Sequence, residues 1–270
     1  MKLFLIEWHK LKNHNFFWIG IGLYVLCIVL LVTMFGTAPF LAQTDDAMIK
    51  LPKNLAEAGF YGLPNVWRNV TYISLFLKFI PAFLVVFFLT NEYSYKTLRQ
   101  NVIDGLSRSQ FFWSKIMGLT FITLIGLVTL MITSLIVIAI YNSDSSVIDY
   151  FNGSSYLLNY FVEVFFMMIL AFFMAILFRR SAIAIIVVLA YYYIIEPIAV
   201  AAGPDYLKLL LPAASSREFN LEPFSTMVGA DGLLGIKSQE GIPTKHLLSA
   251  SLYTFAFASG GFLLLKKRDI

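Results

Sequence analysis

Apolar positions along the chain fall into six continuous runs, each close to the roughly 20 residues that an α-helix needs to cross a bilayer. The runs are 16–35, 70–89, 116–141, 155–178, 181–200 and 247–265. Only Arg179 and Arg180 separate the fourth run from the fifth, which predicts a tight helical hairpin. The pattern predicts an all-α polytopic membrane protein in which residues 1–270 form a single transmembrane domain.

The segment before the first run has a different pattern. Within residues 2–14 apolar positions alternate along the chain with Lys2, Lys10 and Lys12, and the apolar positions can share one broad helical face. This arrangement is typical of an amphipathic helix that lies on the membrane with its basic side toward the headgroups. A cleaved leader is not indicated, because the following apolar run is too long and no small-residue cleavage pattern is convincing.

Charge between the runs predicts the orientation of the chain. With the N-terminus inside, the inner segments hold 12 of the 20 basic residues and four acidic ones, whereas the outer loops hold seven basic and ten acidic residues. The inner segments therefore carry a net charge of +8 and the outer loops a net charge of −3, which places both termini in the cytoplasm by the positive-inside rule. The overall charged fraction of 13% is also far below the approximately 25% of soluble domains.

The outer loop 201–246 carries a pattern of its own. Asp205 is followed by the apolar sequence YLKLLL, and Pro212 comes next. We expect a short helix here, capped by Asp205, that rests at the outer interface or dips back into the membrane.

Three ionisable residues, Lys78, Glu163 and Glu196, lie inside the predicted spans, all in the outer half. Such residues are costly in hydrocarbon and usually face a bundle interior or water. We hypothesise that they line an outward-facing vestibule on the translocation path, with Lys78 paired to one carboxylate. The alternative is a snorkelling Lys78 and a purely structural ion pair. Tyr192, near mid-span, either lines the same path or bonds a neighbouring helix.

Two prolines lie within the apolar runs. A proline removes a backbone donor and clashes with the preceding helical turn. Pro197 is therefore expected to kink or end the fifth helix, and Pro81 to bend the second.

Residues 91–115 form the longest polar stretch that carries an ordered series of helix signals, and we call this stretch the elbow. Glu92 precedes Lys96 by four residues, which favours an ion pair on one helix. Arg99 lies on a nearby face, and an apolar side is formed by Leu98, Val102 and Ile103. These features predict a short basic amphipathic helix on the inner surface.

The second part of the elbow predicts a turn and a new helix. Asp104 and Gly105 form a turn signal. Ser107 and Gln110 then have the spacing of a capping box, from which a helix enters the third span. On physical grounds alone the elbow could equally be an ordinary, solvated cytoplasmic loop.

The order of residues in the elbow resembles the first intracellular loop of ABC-2 type transporter permeases. In that family an acidic residue precedes a Gly-Thr or Lys-Thr pair, a Ser-Arg follows, often after a proline, and a lysine enters the third span. The matching residues are Glu92, Lys96, Thr97, Leu98, Arg99, Ser107, Arg108 and Lys115. Here Lys96 replaces the commoner glycine, and Gly105-Leu106 replaces the proline-containing turn. Those departures are closer to the lantibiotic-immunity and bacteriocin-type subset.

The resemblance implies a type V-like fold in a bacterial cell membrane. The elbow would be a coupling helix seated in a groove of a separate ABC ATP-binding subunit, which holds the ATP and Mg. The permease would pair with a second permease, identical or different, within membrane lipid. The coupling residues would be Glu92, Lys96, Thr97, Arg99, Asp104, Ser107 and Arg108.

The chain is expected to be the permease of an ATP-driven exporter that moves an amphipathic, peptide or lipid-like substrate outward. No phosphate-binding loop or hydrolase motif occurs in the sequence, and the three histidines are scattered, so we expect no catalytic residue, no metal site and no nucleic-acid partner. The alternatives are a non-transporting scaffold of an envelope machine and an intramembrane lipid-modifying enzyme.

Overall fold

A computed structural model describes residues 8–35, 59–97, 100, 103, 105–143, 145–204, 206–218 and 244–267. Helices account for nearly all regular structure in these ranges, and no strand occurs among them. The helices are α1 (Asn15–Phe35), α2 (Val66–Ser74), α3 (Phe79–Ser94), α4 (Arg108–Tyr141), α5 (Tyr156–Phe178), α6 (Ser181–Ala190), α7 (Glu196–Ala202), α8 (Leu207–Leu210), α9 (Pro212–Glu218) and α10 (Thr244–Lys267).

Six helical segments in the described ranges are long and apolar enough to cross a membrane, which confirms the predicted all-helical, six-span architecture. The first, third, fourth and sixth spans are α1, α4, α5 and α10. The second span joins α2 to α3 through a 3₁₀ turn, Leu75–Lys78, and the fifth joins α6 to α7 through a π turn, Tyr191–Ile195. Six crossings leave the two ends of the bundle on one side, which we call the termini side. The opposite side is the far side.

The fourth span is the centre of the bundle. It packs against the second, third, fifth and sixth spans, and all residues from 166 to 172 are buried. Because lipid tails are as apolar as the helices, close packing and buried hydrogen bonds hold these helices together more than the hydrophobic effect does. The sixth span is the least covered of the six.

A glycine permits the close contact among the first, third and fourth spans. The hydroxyls of Tyr24 and Tyr160 hydrogen-bond to each other, and both side chains are fully buried. Gly126 of the third span lies against this pair, and a Cβ atom there would come within 2.8 Å of both hydroxyl oxygens. The tyrosine pair therefore requires a residue without a side chain at position 126.

The far-side ends of the first and third spans are tied together by the segment that precedes α2. The hydroxyl of Tyr61 donates to the carbonyl of Val32, and the amide Nδ2 of Asn142 donates to the carbonyl of Tyr61 at 2.8 Å. Tyr61 is buried. These bonds satisfy backbone groups that lipid could not satisfy.

Pro81 and Pro197 each follow an irregular turn of their span. The fifth span continues beyond Pro197 to Ala202 instead of ending there, and the irregular winding lies in the π turn just before the proline. In the second span the 3₁₀ turn likewise precedes Pro81. Each proline sits in the first turn of the helix that restarts, where its missing N–H is least costly.

The interfacial helix predicted over residues 2–14 falls only partly within the described residues. Residues 8–12 are helical, and the Trp8 ring makes edge contacts with Trp18 and Phe121. The amphipathic character of the whole segment stays a prediction.

The close packing at Gly126 predicts that a methyl group added at this position destabilises the bundle. We expect Gly126→Ala to lower the stability of the purified protein by about 1–3 kcal/mol, because either tyrosine must move and break the hydroxyl pair. The measurement is thermal unfolding in detergent. Gly22→Ala is the matched control, since its Cβ would meet nothing within 4 Å. Equal unfolding temperatures for the two variants would contradict this prediction.

Candidate functional site

A buried cluster in the far half of the bundle contains three of the four predicted path residues. The Lys78 ammonium, at the end of the 3₁₀ turn, donates to the Glu163 carboxylate of the fourth span and to the Tyr192 hydroxyl in the π turn. The Lys78 nitrogen also lies 4.3 Å from the centre of the Tyr192 ring. Lys78 and Glu163 are only 5% and 2% exposed. The second, fourth and fifth spans thus meet at one ion pair, as the pairing hypothesis predicted.

The irregular turns place these side chains. A 3₁₀ turn is wound more tightly than an α-helix and a π turn more loosely, so each rotates the residues that follow it. Lys78 and Tyr192 lie within these two turns, and each turn is followed by a helix that carries a proline in its first turn.

Glu196, the fourth path residue, has a different partner. Its carboxylate accepts hydrogen bonds from the backbone N–H groups of Ala213 and Ala214, at 3.0 and 2.6 Å. These groups open α9, whose first residue, Pro212, has no N–H to satisfy. Glu196 is 1% exposed, and its charge also suits the positive end of a helix. The carboxylate therefore caps a helix that returns into the protein.

Arg217 of α9 joins this returning helix to the buried cluster. Its Nη1 donates to the Tyr192 carbonyl at 3.2 Å, and its guanidinium lies 5.0 Å from the centre of the Tyr192 ring. A role for Arg217 was not predicted, because residues 201–246 were all assigned to an outer loop. The available signal in the sequence was the run of four small residues from Ala213 to Ser216, which permits close packing and is buried in the structure.

The other side of the returning segment is bonded to the sixth span. Ser249 donates to the carbonyl of Leu209 at 2.7 Å, and Tyr253 donates to the carbonyl of Leu210. The predicted dipping helix thus has a counterpart in α8 and α9. Asp205, its predicted cap, lies outside the described residues, and Tyr206 occupies the N-cap of α8.

The cluster is closed in this structure. Lys78, Glu163 and Glu196 are each at most 5% exposed, so they form a sealed network and do not line an open vestibule. A part for these residues and Tyr192 in translocation stays a prediction.

On the termini side, the structure defines both ends of the elbow. Helix α3 ends at Ser94, and Lys96 has left-handed backbone with a φ of 55°. Gly105, at φ 96°, makes the turn that the sequence predicted. The capping box is also confirmed: the N–H of Gln110 donates to the Ser107 hydroxyl at 3.1 Å, and the N–H of Ser107 donates to the Gln110 side chain at 2.9 Å.

Glu92 connects the elbow to the spans through an ion pair that differs from the predicted one. Its carboxylate lies 2.6 Å from the Lys115 ammonium and 3.7 Å from that of Lys10. The predicted pair with Lys96 is wrong, because the helix ends before Lys96 and the chain turns away. The Lys115 side chain is 7% exposed and that of Glu92 is 14% exposed, so the bond is well shielded from water.

Arg108 connects the elbow to the sixth span. Its Nη1 donates to the carbonyls of Leu265 and Lys266, at 3.3 and 2.7 Å. A cation at the last carbonyls of a helix is favoured by the helix dipole. The start of the third span and the end of the sixth are thus joined by one side chain.

The remaining predicted coupling residues that the structure describes form no hydrogen bond or ion pair that joins two spans. Lys96, Thr97 and Ser107 are exposed at the surface, and Arg99 and Asp104 lie outside the described residues. Lys10 as a partner of Glu92 was missed, since no sequence spacing relates the two residues.

A family model described as "ABC-2 family transporter protein" matches residues 3–195, which includes the first four spans, the elbow and the π turn of the fifth. A search of curated proteins found no match. The family match confirms the resemblance that the elbow residues carried.

The buried ion pair predicts a strongly non-additive result. We expect Lys78→Met and Glu163→Gln each to destabilise the bundle by about 3–5 kcal/mol, because each leaves one uncompensated charge in a dry site. The double variant should lose less stability than the sum of the losses in the two single variants. Denaturant unfolding in micelles measures all three, with exposed Lys245→Met as the control for loss of a lysine. Additive losses would show that the two charges are not coupled.

Proposed function

Because the chain belongs to the ABC-2 transporter family, we propose that it is the permease subunit of an ATP-driven exporter. It is a membrane component of a transporter, and the ATP and Mg would be bound by a separate ATPase subunit. The proposed assembly contains a second permease, identical or different, in a bacterial cell membrane with both termini cytoplasmic. An amphipathic, peptide or lipid-like substrate suits spans with so many apolar and aromatic residues.

The observation that carries this proposal is the attachment of the elbow to several spans at once. Glu92 joins the second span to the third through Lys115, and Arg108 joins the third to the sixth. Most of the described residues between Glu92 and Arg108 are exposed, including the apolar side chains of Tyr95 and Ile103, at 77% and 68%. An exposed segment with rigid attachments on both sides suits contact with a partner protein.

The proposed mechanism uses these attachments. ATP binding would close the partner's dimer and displace the elbow. The displacement would move the termini-side ends of the second, third and sixth spans together. Lys78 lies 14 residues from Glu92 along the second span, about 21 Å at the helical rise, so one helix links the elbow to the far-side cluster. Breaking that cluster would open the path outward.

Topology is the first test. Cys27 is the only cysteine, so Cys27→Ala gives a background for single cysteines at Ile103, in the elbow, and Ile148, which is 81% exposed between the third and fourth spans. In intact cells a membrane-impermeant maleimide should label the cysteine at 148, and label the one at 103 only after permeabilisation. The reverse pattern would overturn the orientation.

Coupling is the second test. We expect Glu92→Gln and Arg108→Gln to lower transport per ATP hydrolysed by roughly tenfold or more, because each removes a charge-assisted bond worth about 1.5–3 kcal/mol. Membrane insertion and partner binding should persist. Transport and ATPase rates are measured together in proteoliposomes that contain the whole complex.

Lys12→Gln is the matched control for the coupling test, since it removes an exposed charge on the same side. Full transport by both elbow variants would count against the proposal. A wild-type complex whose ATPase rate responds to no substrate would instead favour the scaffold function.

A further inference from the structure

The sixth span leaves an apolar groove against the third and fourth spans. Its volume is about 550 Å³, and its walls include Trp113 and Ile116 of the third span, Ile169 of the fourth, and Phe255 and Leu263 of the sixth. Trp113, Phe255 and Leu263 are each more than half exposed. The groove is separate from the buried Lys78 cluster, and none of its residues belongs to the elbow contacts of Glu92.

Basic residues lie just beyond the termini-side end of this groove. Lys266 follows Leu263 by three residues and Lys267 follows it by four, so both lie one helical turn beyond the groove on the same face. Both side chains are exposed. Arg108 of the third span donates to the carbonyls of Leu265 and Lys266, which places a further cation at the negative end of the sixth helix.

The length of the groove corresponds to one leaflet. Its residues on the sixth span run from Ser251 to Leu263, a distance of about 18 Å at the helical rise. Half of a typical hydrocarbon core is about 15 Å. An apolar channel one leaflet deep, with cations where the headgroups lie, is complementary in shape and charge to a phospholipid with an anionic head.

We propose that this groove is a binding site for an anionic phospholipid of the termini-side leaflet. One acyl chain lies between the third, fourth and sixth spans, and the phosphate group lies against Lys266 and Lys267. The site places a lipid beside the contact between Arg108 and the sixth span, so its occupancy stabilises the position of that span. The proposed lipid site requires only that the helices span the membrane, and it does not depend on coupling to ATP.

The test uses the purified full chain in detergent, with phosphatidylglycerol and phosphatidylcholine of identical acyl chains as probes. Native mass spectrometry measures the affinity for each lipid. The wild type should prefer phosphatidylglycerol. The double variant Lys266→Gln/Lys267→Gln should weaken that binding by roughly tenfold or more, since each lysine near a headgroup favours an anionic lipid. Lys12→Gln/Arg180→Gln, which removes two exposed charges elsewhere on the same side, should leave it unchanged.

A second pair of variants tests the groove itself. Ser259 lines the groove, and Ser259→Trp should prevent both lipids from binding there. Leu252 is 68% exposed on the same helix outside the groove, and Leu252→Trp should bind both lipids normally. In the wild type, brominated phosphatidylglycerol should quench tryptophan fluorescence by an amount that falls in Trp113→Phe.

Three results would overturn the site. The first is equal affinity for the two lipids that is unaffected by Lys266→Gln/Lys267→Gln, which means an unspecific lipid coat. The second is unchanged lipid binding in Ser259→Trp. The third is loss of self-association, with lipid binding retained, in Ser259→Trp, which would make the groove a contact between two copies of the chain.

Discussion

The second span is held by two ion pairs, one near its middle at Lys78 and one near its termini-side end at Glu92, and the rest of the bundle is arranged around these two bonds. Lys78 pairs with Glu163 of the fourth span in the far half, and Glu92 pairs with Lys115 of the third span on the termini side. Both bonds are shielded from water, so breaking either leaves a charge that lipid cannot solvate. The two pairs therefore tie the second span to the fourth span and to the third.

The same constraint explains the irregular parts of the structure. Backbone groups in hydrocarbon must find partners within the protein, and α9 is tolerated below the surface because Glu196 accepts the N–H groups at its start. The tight turn in the second span and the loose turn in the fifth both occur where a side chain of the cluster is placed. The resulting network connects four elements, namely the second, fourth and fifth spans and α9.

Periodicity and local motifs predicted what depends on neighbouring residues. The six spans follow from apolar runs, and the capping box at Ser107 follows from two side chains three residues apart. Contacts between residues far apart in the sequence were harder to predict. Pairing of Lys78 with a carboxylate could be predicted, since a buried charge needs one, but the sequence did not distinguish Glu163 from Glu196. Glu92 was assigned the wrong lysine because the helix ends two residues before Lys96, and the left-handed backbone there is not evident from a lysine.

The proposed function requires the exposed part of the elbow to contact an ATP-hydrolysing subunit. A photo-reactive amino acid in place of Ile103, which is 68% exposed, tests this contact when the whole complex is irradiated in native membranes with and without ATP. We predict a cross-link from position 103 to the ATPase subunit, and none from position 148 on the far side. A cross-link to that subunit from 148 but not from 103, or from neither position in an intact complex, would contradict it.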